Sequence, residues 1–150
     1  MRIIIQRVKN ASVTINKLMH SSINQGMMIL VGIEEIDNDE DIAFLTKKVV
    51  NMRIFDDENG VMNLDIQQAE GRAIVISQFT LFASTKKGNR PSYFRAALEA
   101  ISRPMYERFV QAVEQASGQK VATGVFGADM KVGLVNDGPV TIWIDSRNRE

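Results

Sequence analysis

The chain has 150 residues, 45% of them hydrophobic and 24% charged, ordinary values for a folded globular chain that exclude disorder and fibrous repeats. Eighteen basic residues offset eighteen acidic ones, so a uniform positive field cannot hold nucleic acid and any RNA contact must be local. The absence of cysteine excludes thiol nucleophiles, disulfides and thiolate zinc sites, and fits a reducing, cytoplasmic compartment.

One domain, residues 1 to 150, is expected, since a chain of this length can bury about two-thirds of its unfolded surface around a single core. The opening MRIIIQRV has too short an apolar run for a signal peptide, and no window approaches the roughly 20 apolar residues of a membrane helix, so no membrane association is expected. Residues 3 to 15 alternate in part as a strand does, and residues 27 to 33, MMILVGI, form a short apolar run suited to a buried central strand. Asp37, Asp39, Glu40 and Asp41 then precede Ile42, Leu45 and Val49 at helical spacing, which predicts a helix over about 39 to 51. Asn59-Gly60 between RIF (residues 53 to 55) and VMNL (residues 61 to 64) predicts a tight hairpin and two more strands.

Residues 73 to 83, AIVISQFTLFA, read as a central strand with a polar end. Ser92 is placed to cap a helix whose inner face is Phe94, Ala97, Leu98 and Ile101. A second helix is expected after Ser102 and Pro104, carrying Met105, Phe109, Ala112 and Ala116 on one side and ended by Gly118. Strand character returns over residues 121 to 125, 131 to 135 and 140 to 145. This order of elements describes an α+β domain with a mixed sheet.

Many common chemistries lack their residues. There is no GxGxxG, GxxxxGK[ST], GxSxG or HExxH. His20 is the only histidine and sits among Leu18, Met19 and Ser21, where a structural or solvated role outweighs a catalytic one, so no Ser-His-Asp triad is proposed. Asp37, Asp39 and Asp41 imitate the start of a calcium loop, but Ile42 stands where glycine is needed and Lys48 where the bidentate glutamate belongs. No metal and no cofactor is expected.

Three segments place polar or restricted residues where a plain core would not want them: SQFTL at 77 to 81, GNRPS at 88 to 92 and NDGP at 136 to 139. In a regular strand Gln78 and Thr80 face one way while Ser77 and Phe79 face the other. Three polar side chains therefore cannot converge on one atom unless the strand bulges or stops. The alternative is that backbone N–H groups at the strand end act as donors to a developing oxyanion. Arg90 joins Lys86 and Lys87 in the one dense basic cluster of the chain, which suits either a phosphate-bearing ligand or a solvated turn. Taken alone, Asp137-Gly138-Pro139 favours a turn with a trans peptide bond, although proline makes a cis bond accessible.

These blocks, in this order, resemble the D-aminoacyl-tRNA deacylase family: SQFTLF at 77 to 82, KGNRPSY at 87 to 93, FGADM at 126 to 130 and NDGPVTIWIDS at 136 to 146, with MRIIIQRV and RIFDDENGVMNLD at 53 to 65 in register. Phe82 stands where the family often has Tyr, and Tyr93 where it often has Phe. The resemblance implies a curved, largely antiparallel mixed sheet packed by helices, and a homodimer. It implies hydrolysis of the ester between a D-amino acid and the 3′-terminal adenosine of tRNA, with glycyl-tRNA mischarged on tRNA-Ala also accepted and with no role for DNA. Ser77, Gln78, Phe79 and Thr80 would line the reaction centre, the N–H groups near Gln78 and Phe79 stabilising the oxyanion. Lys87, Asn89, Arg90, Pro91 and Ser92 would contact substrate, and Phe126 and Met130 would line the pocket for the terminal adenosine. Gly138-Pro139 would be the family's Gly-cisPro motif, inserted from one subunit into the other's site and braced by Arg7, its rigid carbonyls filling the space an L side chain needs.

Thr80 is the side-chain nucleophile candidate, but no nearby sequence supplies its base. Water attack assisted by the ribose 2′-hydroxyl is favoured over a covalent Thr80 intermediate, and that hydroxyl also separates tRNA from DNA. Three rival readings stand beside this one. They are a non-catalytic aminoacyl-RNA binding module of the same fold, a hydrolase of another ester using Thr80 or Ser77, and a related deacylase with a trans proline.

Overall fold

The computed structural model describes residues 1–149. Its strands are β1 (Arg2–Ile15), β2 (Leu18–Ile23), β3 (Gly26–Gly32), β4 (Phe55–Asp56), β5 (Met62–Leu64), β6 (Arg72–Ser77), β7 (Ala122–Thr123) and β8 (Lys131–Asp145), with helices α1 (Asp39–Asn51) and α2 (Glu99–Ser117). The main sheet runs β2-β1-β3-β6-β7, and β8 lies along the other side of β1. Pairings of β1 with β2, β3 and β8 are antiparallel; those of β6 with β3 and β7 are parallel. The Ser21 hydroxyl donates to the Thr123 carbonyl at 2.7 Å, tying the two ends of this path together and curving the sheet.

The curvature gives the sheet two apolar faces. Ile3, Ile5, Met27, Ile29, Val31 and Val75 pack with Leu45 and Val49 of α1 and Met105, Phe109 and Val113 of α2. Between Gln6 and Asn10 the register of β1 against β8 slips, so Val8, Ala11 and Val13 enter a second cluster with Met28, Ile74 and Ile76 inside the curl. Helix α1 starts where the acidic run and apolar spacing indicate, through a capping box in which the Asn38 side chain accepts from Glu40 N–H and Asp41 accepts from Asn38 N–H. The Asn59-Gly60 turn joins β4 and β5, with Gly60 at φ +74°.

Several sequence expectations are corrected. The strand beginning at residue 72 ends at Ser77, and Phe79–Phe82 form a 3-10 turn in place of further strand. No helix starts at Ser92: its backbone bridges to Ser84, and Ala96 bridges to Glu34, so segment 92–98 satisfies its polar groups by extended pairing. A single helix, α2, replaces the expected pair, with Pro104 inside it. Proline removes one backbone bond, but Ser102, Met105, Tyr106, Phe109 and Val113 keep one continuous buried face across it. Gly118 ends α2 in the left-handed region, as expected. Segments 131–135 and 140–145 belong to one strand, β8, because both halves pair with β1. Strand β2, LMHSSI, was not anticipated; it exists through its pairing with β1.

The chain's two ends meet in a buried ionic network. The Met1 ammonium pairs with Asp37 and donates to Ser146 Oγ at 2.9 Å, Ser146 donates to Asp41 at 2.6 Å, and Arg147 reaches both carboxylates. Burial raises the Asp41 pKa, but the Ser146 hydroxyl, the Asn38 N–H and the charges of Met1 and Arg147 outweigh it and hold the group below its ordinary 3.8. Asp145 is likewise lowered, its burial overcome by Arg2 and by the N–H groups of Arg147 and Asn148. A carboxylate held below its unfolded value stabilises the fold above about pH 4 and loses that contribution as pH falls through its lowered folded value. Urea midpoints are expected to hold from neutral pH to about 4 and drop below it, with Asp145→Asn making the drop shallower.

Candidate active site

The end of β6 forms the wall of a cavity of about 450 Å³. Ser77, Gln78 and Phe79 line it, with Phe126 and Met130 from the segment after β7 opposite. Gln78 N–H is occupied, donating to the Val31 carbonyl at 2.7 Å. Phe79 and Thr80 open the 3-10 turn, and among the described residues their N–H groups have no acceptor. Of the two backbone donors the resemblance implied, the one at Phe79 is therefore free, with that of Thr80 beside it. The stop of the strand is what exposes them, since a continuing ladder would have consumed both.

Thr80 does not line the cavity. Its hydroxyl accepts a hydrogen bond from the Gln78 side-chain amide, and no imidazole, carboxylate or amine lies within hydrogen-bond reach of it among the described residues. The turn is clamped from behind. Phe82 is fully buried between two guanidiniums, Arg2 at 4.5 Å and Arg95 at 5.3 Å from its ring centre. Arg2 also donates to the Leu81 carbonyl at 3.1 Å, and Arg95 forks onto the buried Glu34 carboxylate. Gly32 lies against the inner side of the turn.

The basic loop adjoins the cavity-lining Phe79 through Tyr93. Lys87, Asn89, Arg90, Pro91 and Ser92 are exposed and outside the cavity wall, on a loop closed by the Ser84–Ser92 bridge with Gly88 at φ +70°. Lys86, Lys87 and Arg90 form no ion pair among the described residues. An edge-to-face contact of Tyr93 with Phe79, 5.0 Å between ring centres, fastens this loop to the 3-10 turn after β6.

Gly138-Pro139 is a cis peptide bond, in contrast to the trans turn that the residues alone favour. Asn136 closes the corner, its Oδ1 accepting from Val140 N–H at 2.9 Å and its Nδ2 donating to Thr141 Oγ1 at 3.0 Å. Arg7, buried, donates from Nε to the Asp137 carbonyl at 3.0 Å and from Nη1 to the Ile54 carbonyl at 2.7 Å and to Asp56 at 3.0 Å. Both Gly138 and Pro139 are exposed, and neither lines the cavity of its own chain.

The wall also contains residues not anticipated from sequence: Glu99 and Ser102 on α2, and Gly127, Ala128 and Asp129 beside Phe126. The last three fall inside the FGADM block. Glu99 and Ser102 carry no local signal, since they reach the wall only because one continuous helix starts at Glu99. Gly124 is a further hidden determinant: a Cβ there would stand 2.4 Å from Met130 Sδ, so the missing side chain is what seats Met130 in the wall.

Comparison with known proteins gives the family and the fold. The family described as D-Tyr-tRNA(Tyr) deacylase matches residues 4–145. A D-aminoacyl-tRNA deacylase of Bacteroides fragilis is 64% identical over 150 residues, covering all of both chains. The solved structure of a c-Myc DNA Unwinding Element Binding Protein superposes with a TM-score of 0.90 at 32% identity, covering 97% of this chain and 98% of that one. A probable eukaryotic D-amino acid tRNA deacylase shares the fold, with a TM-score of 0.82 at 15% identity over 95% of this chain and 97% of that one. With a family match from residue 4 to 145 and full-length relatives of this similarity, the chain belongs to the D-Tyr-tRNA(Tyr) deacylase family.

Proposed function

We propose that the chain hydrolyses the ester joining a D-amino acid, or glycine mischarged on tRNA-Ala, to the 3′-terminal adenosine of tRNA, as a cytoplasmic homodimer in which each subunit's Gly138-Pro139 corner closes the partner's cavity. Membership of the family makes the chain a hydrolase of aminoacyl-tRNA esters. The observation that carries the mechanism is the pair of unpartnered N–H groups on Phe79, in the cavity wall, and on Thr80, the next residue of the same turn. Water adds to the ester carbonyl carbon, and the resulting oxyanion is held by these two donors. Collapse breaks the bond to the ribose 3′-oxygen, which takes up a proton, and releases tRNA and the free amino acid. The adjacent ribose 2′-hydroxyl assists the attacking water, because Thr80 has no base and its oxygen is engaged by Gln78.

The exposed corner supports the shared site. Gly138 and Pro139 are exposed and line no part of their own cavity, on a strand braced by Arg7, and Phe94 and Leu98 stand 80% and 70% exposed on the segment leading into α2. The outer edge of β8 is unpaired among the described residues. A second copy would cover such apolar and edge surface isologously. Carbonyls presented by its corner would fill the volume an L side chain requires and leave the D side chain free.

Release of amino acid from D-Tyr-tRNA and L-Tyr-tRNA tests the reading. Rapid loss of the D ester with the L ester intact is expected. An intact D ester would favour a non-catalytic binding module, and equal loss of both esters would remove the chiral role of the corner. Thr80→Ala is expected to slow turnover by about tenfold, the scale of one lost positioning contact, whereas a covalent nucleophile would lose it by several orders of magnitude. Sedimentation equilibrium checks the dimer.

A further inference from the structure

Strand β7 is only two residues long, so the segment carrying Phe126 and Met130 leaves the sheet almost at once. Its last backbone tie to β6, from Gly124 N–H to the Val75 carbonyl, is 3.4 Å long, and Gly127 then turns the chain at φ +77°. The ladder cannot by itself hold Phe126 against the cavity. What holds it is α2. Tyr106 and Arg103, three residues apart and so on one helix face, both contact the Phe126 ring. Tyr106 packs against it at 5.7 Å between centres, and the Arg103 guanidinium lies 4.9 Å from the ring centre. Glu99, one turn earlier and in the cavity wall, accepts from Arg103 Nε at 3.0 Å and keeps the guanidinium over the ring.

Tyr106 is also anchored behind. It is buried, and its hydroxyl donates to the Val75 carbonyl at 2.8 Å, the same carbonyl that the weakening ladder reaches. Burial, with the Glu107 charge adding to it, raises its pKa, so the hydroxyl remains a donor. One side chain thus fixes the distance between α2, β6 and the Phe126 segment.

Building on the deacylase reading above, in which Phe126 and Met130 face the terminal adenosine, we infer that Tyr106 and Arg103 are positioning residues for the terminal-base side of the cavity, acting through Phe126. Neither residue falls in a block that carried the family resemblance, and Tyr106 does not line the cavity. Their contribution is to base affinity and not to the attack on the ester, because the carbonyl lies at the Phe79–Thr80 end. Loss of either leaves Phe126 free to rotate, which weakens the base platform while leaving the oxyanion donors in place.

The test combines steady-state kinetics on D-Tyr-tRNA with calorimetric binding of a non-hydrolysable 3′-amide analogue of D-tyrosyl-adenosine. Wild type, Tyr106→Phe, Arg103→Ala and Phe126→Ala are compared with the doubles Tyr106→Phe/Phe126→Ala and Arg103→Ala/Phe126→Ala. Tyr106→Phe is expected to weaken analogue binding and raise KM by about 5- to 10-fold, and Arg103→Ala by about 2- to 5-fold, with kcat changing less than KM. In the Phe126→Ala background neither substitution should add a further loss. Equal fold-losses in both backgrounds, or a loss falling on kcat, would overturn the inference, as would failure of the wild type to bind the analogue. Arg103 is 43% exposed, so its variant decides the matter should Tyr106→Phe fail to fold. A wild type that binds the analogue but leaves D-Tyr-tRNA intact would sink the deacylase reading alone, and the cycle would still report on the base subsite.

Discussion

Gly32→Ala is expected to lower kcat on D-Tyr-tRNA by about 10- to 100-fold, far more than its effect on folding would suggest. A Cβ at position 32 would stand 2.9 Å from Leu81 Cβ, 3.1 Å from the Gln78 carbonyl oxygen and 3.2 Å from Phe82 Cδ2. None of these can yield cheaply: the first two are fixed to the backbone, and Phe82 is held between Arg2 and Arg95. The 3-10 turn must therefore shift by a few tenths of an ångström and carry the Phe79 and Thr80 N–H groups with it. Oxyanion donors act only within a narrow distance range, and removing one donor costs about 100- to 1000-fold. Overpacking of this kind destabilises by about 1–3 kcal/mol, so thermal unfolding should still find a folded protein. An unchanged kcat in a folded variant would remove these two groups from the mechanism.

Asp37→Asn carries the largest expected effect on stability, a loss of about 3–5 kcal/mol by urea unfolding. Both the Met1 ammonium and the Asp37 side chain are fully buried, so the substitution removes the cation's direct ion-pair partner and leaves only Asp41, one hydroxyl further away, to offset it. The remaining Ser146 hydroxyl supplies a hydrogen bond but no charge. Arg147 loses one of its two carboxylates and keeps Asp41. Asn keeps only one of the two acceptor oxygens that serve the Met1 ammonium and Glu34 N–H, and Glu34 anchors the Arg95 fork behind the 3-10 turn. A loss below about 1 kcal/mol would show that the pair is screened by water in solution.

Legibility in the sequence followed the range of the interactions involved. Helix α1 could be read to its ends because its determinants are local: the acidic first turn and the spacing of Ile42, Leu45 and Val49. The hairpin at Asn59-Gly60 was equally plain, although the positive φ falls on Gly60 alone and the loop closes from Asp57 to Val61. Strand β2 was invisible, since LMHSSI has no strong alternation and is a strand only because β1 offers it a ladder. Segment 92–98 contains helix-forming residues, yet pairing to Ser84 and Glu34 satisfied its backbone in another way.

The site divides along the same line. Composition excluded thiol nucleophiles and thiolate zinc sites and left a single histidine as the basis for any triad, and the polar interruption at Ser77, Gln78 and Thr80 marked the strand end as unusual. Alternation alone showed that those side chains could not converge in a regular strand, and the strand does stop there. That Gln78 N–H is consumed while those of Phe79 and Thr80 are left over depends on which carbonyl of β3 lies opposite, a matter of sheet register. The roles of Gly32, Glu99, Tyr106 and Arg103 depend on contacts between elements far apart in the chain, which no local pattern records. Local residue chemistry thus determined the class of fold, the excluded reactions and the segments bearing the site. Only tertiary packing decided which backbone groups remain free and what holds them, because an N–H becomes a donor to substrate when every nearer acceptor has been taken elsewhere or turned away.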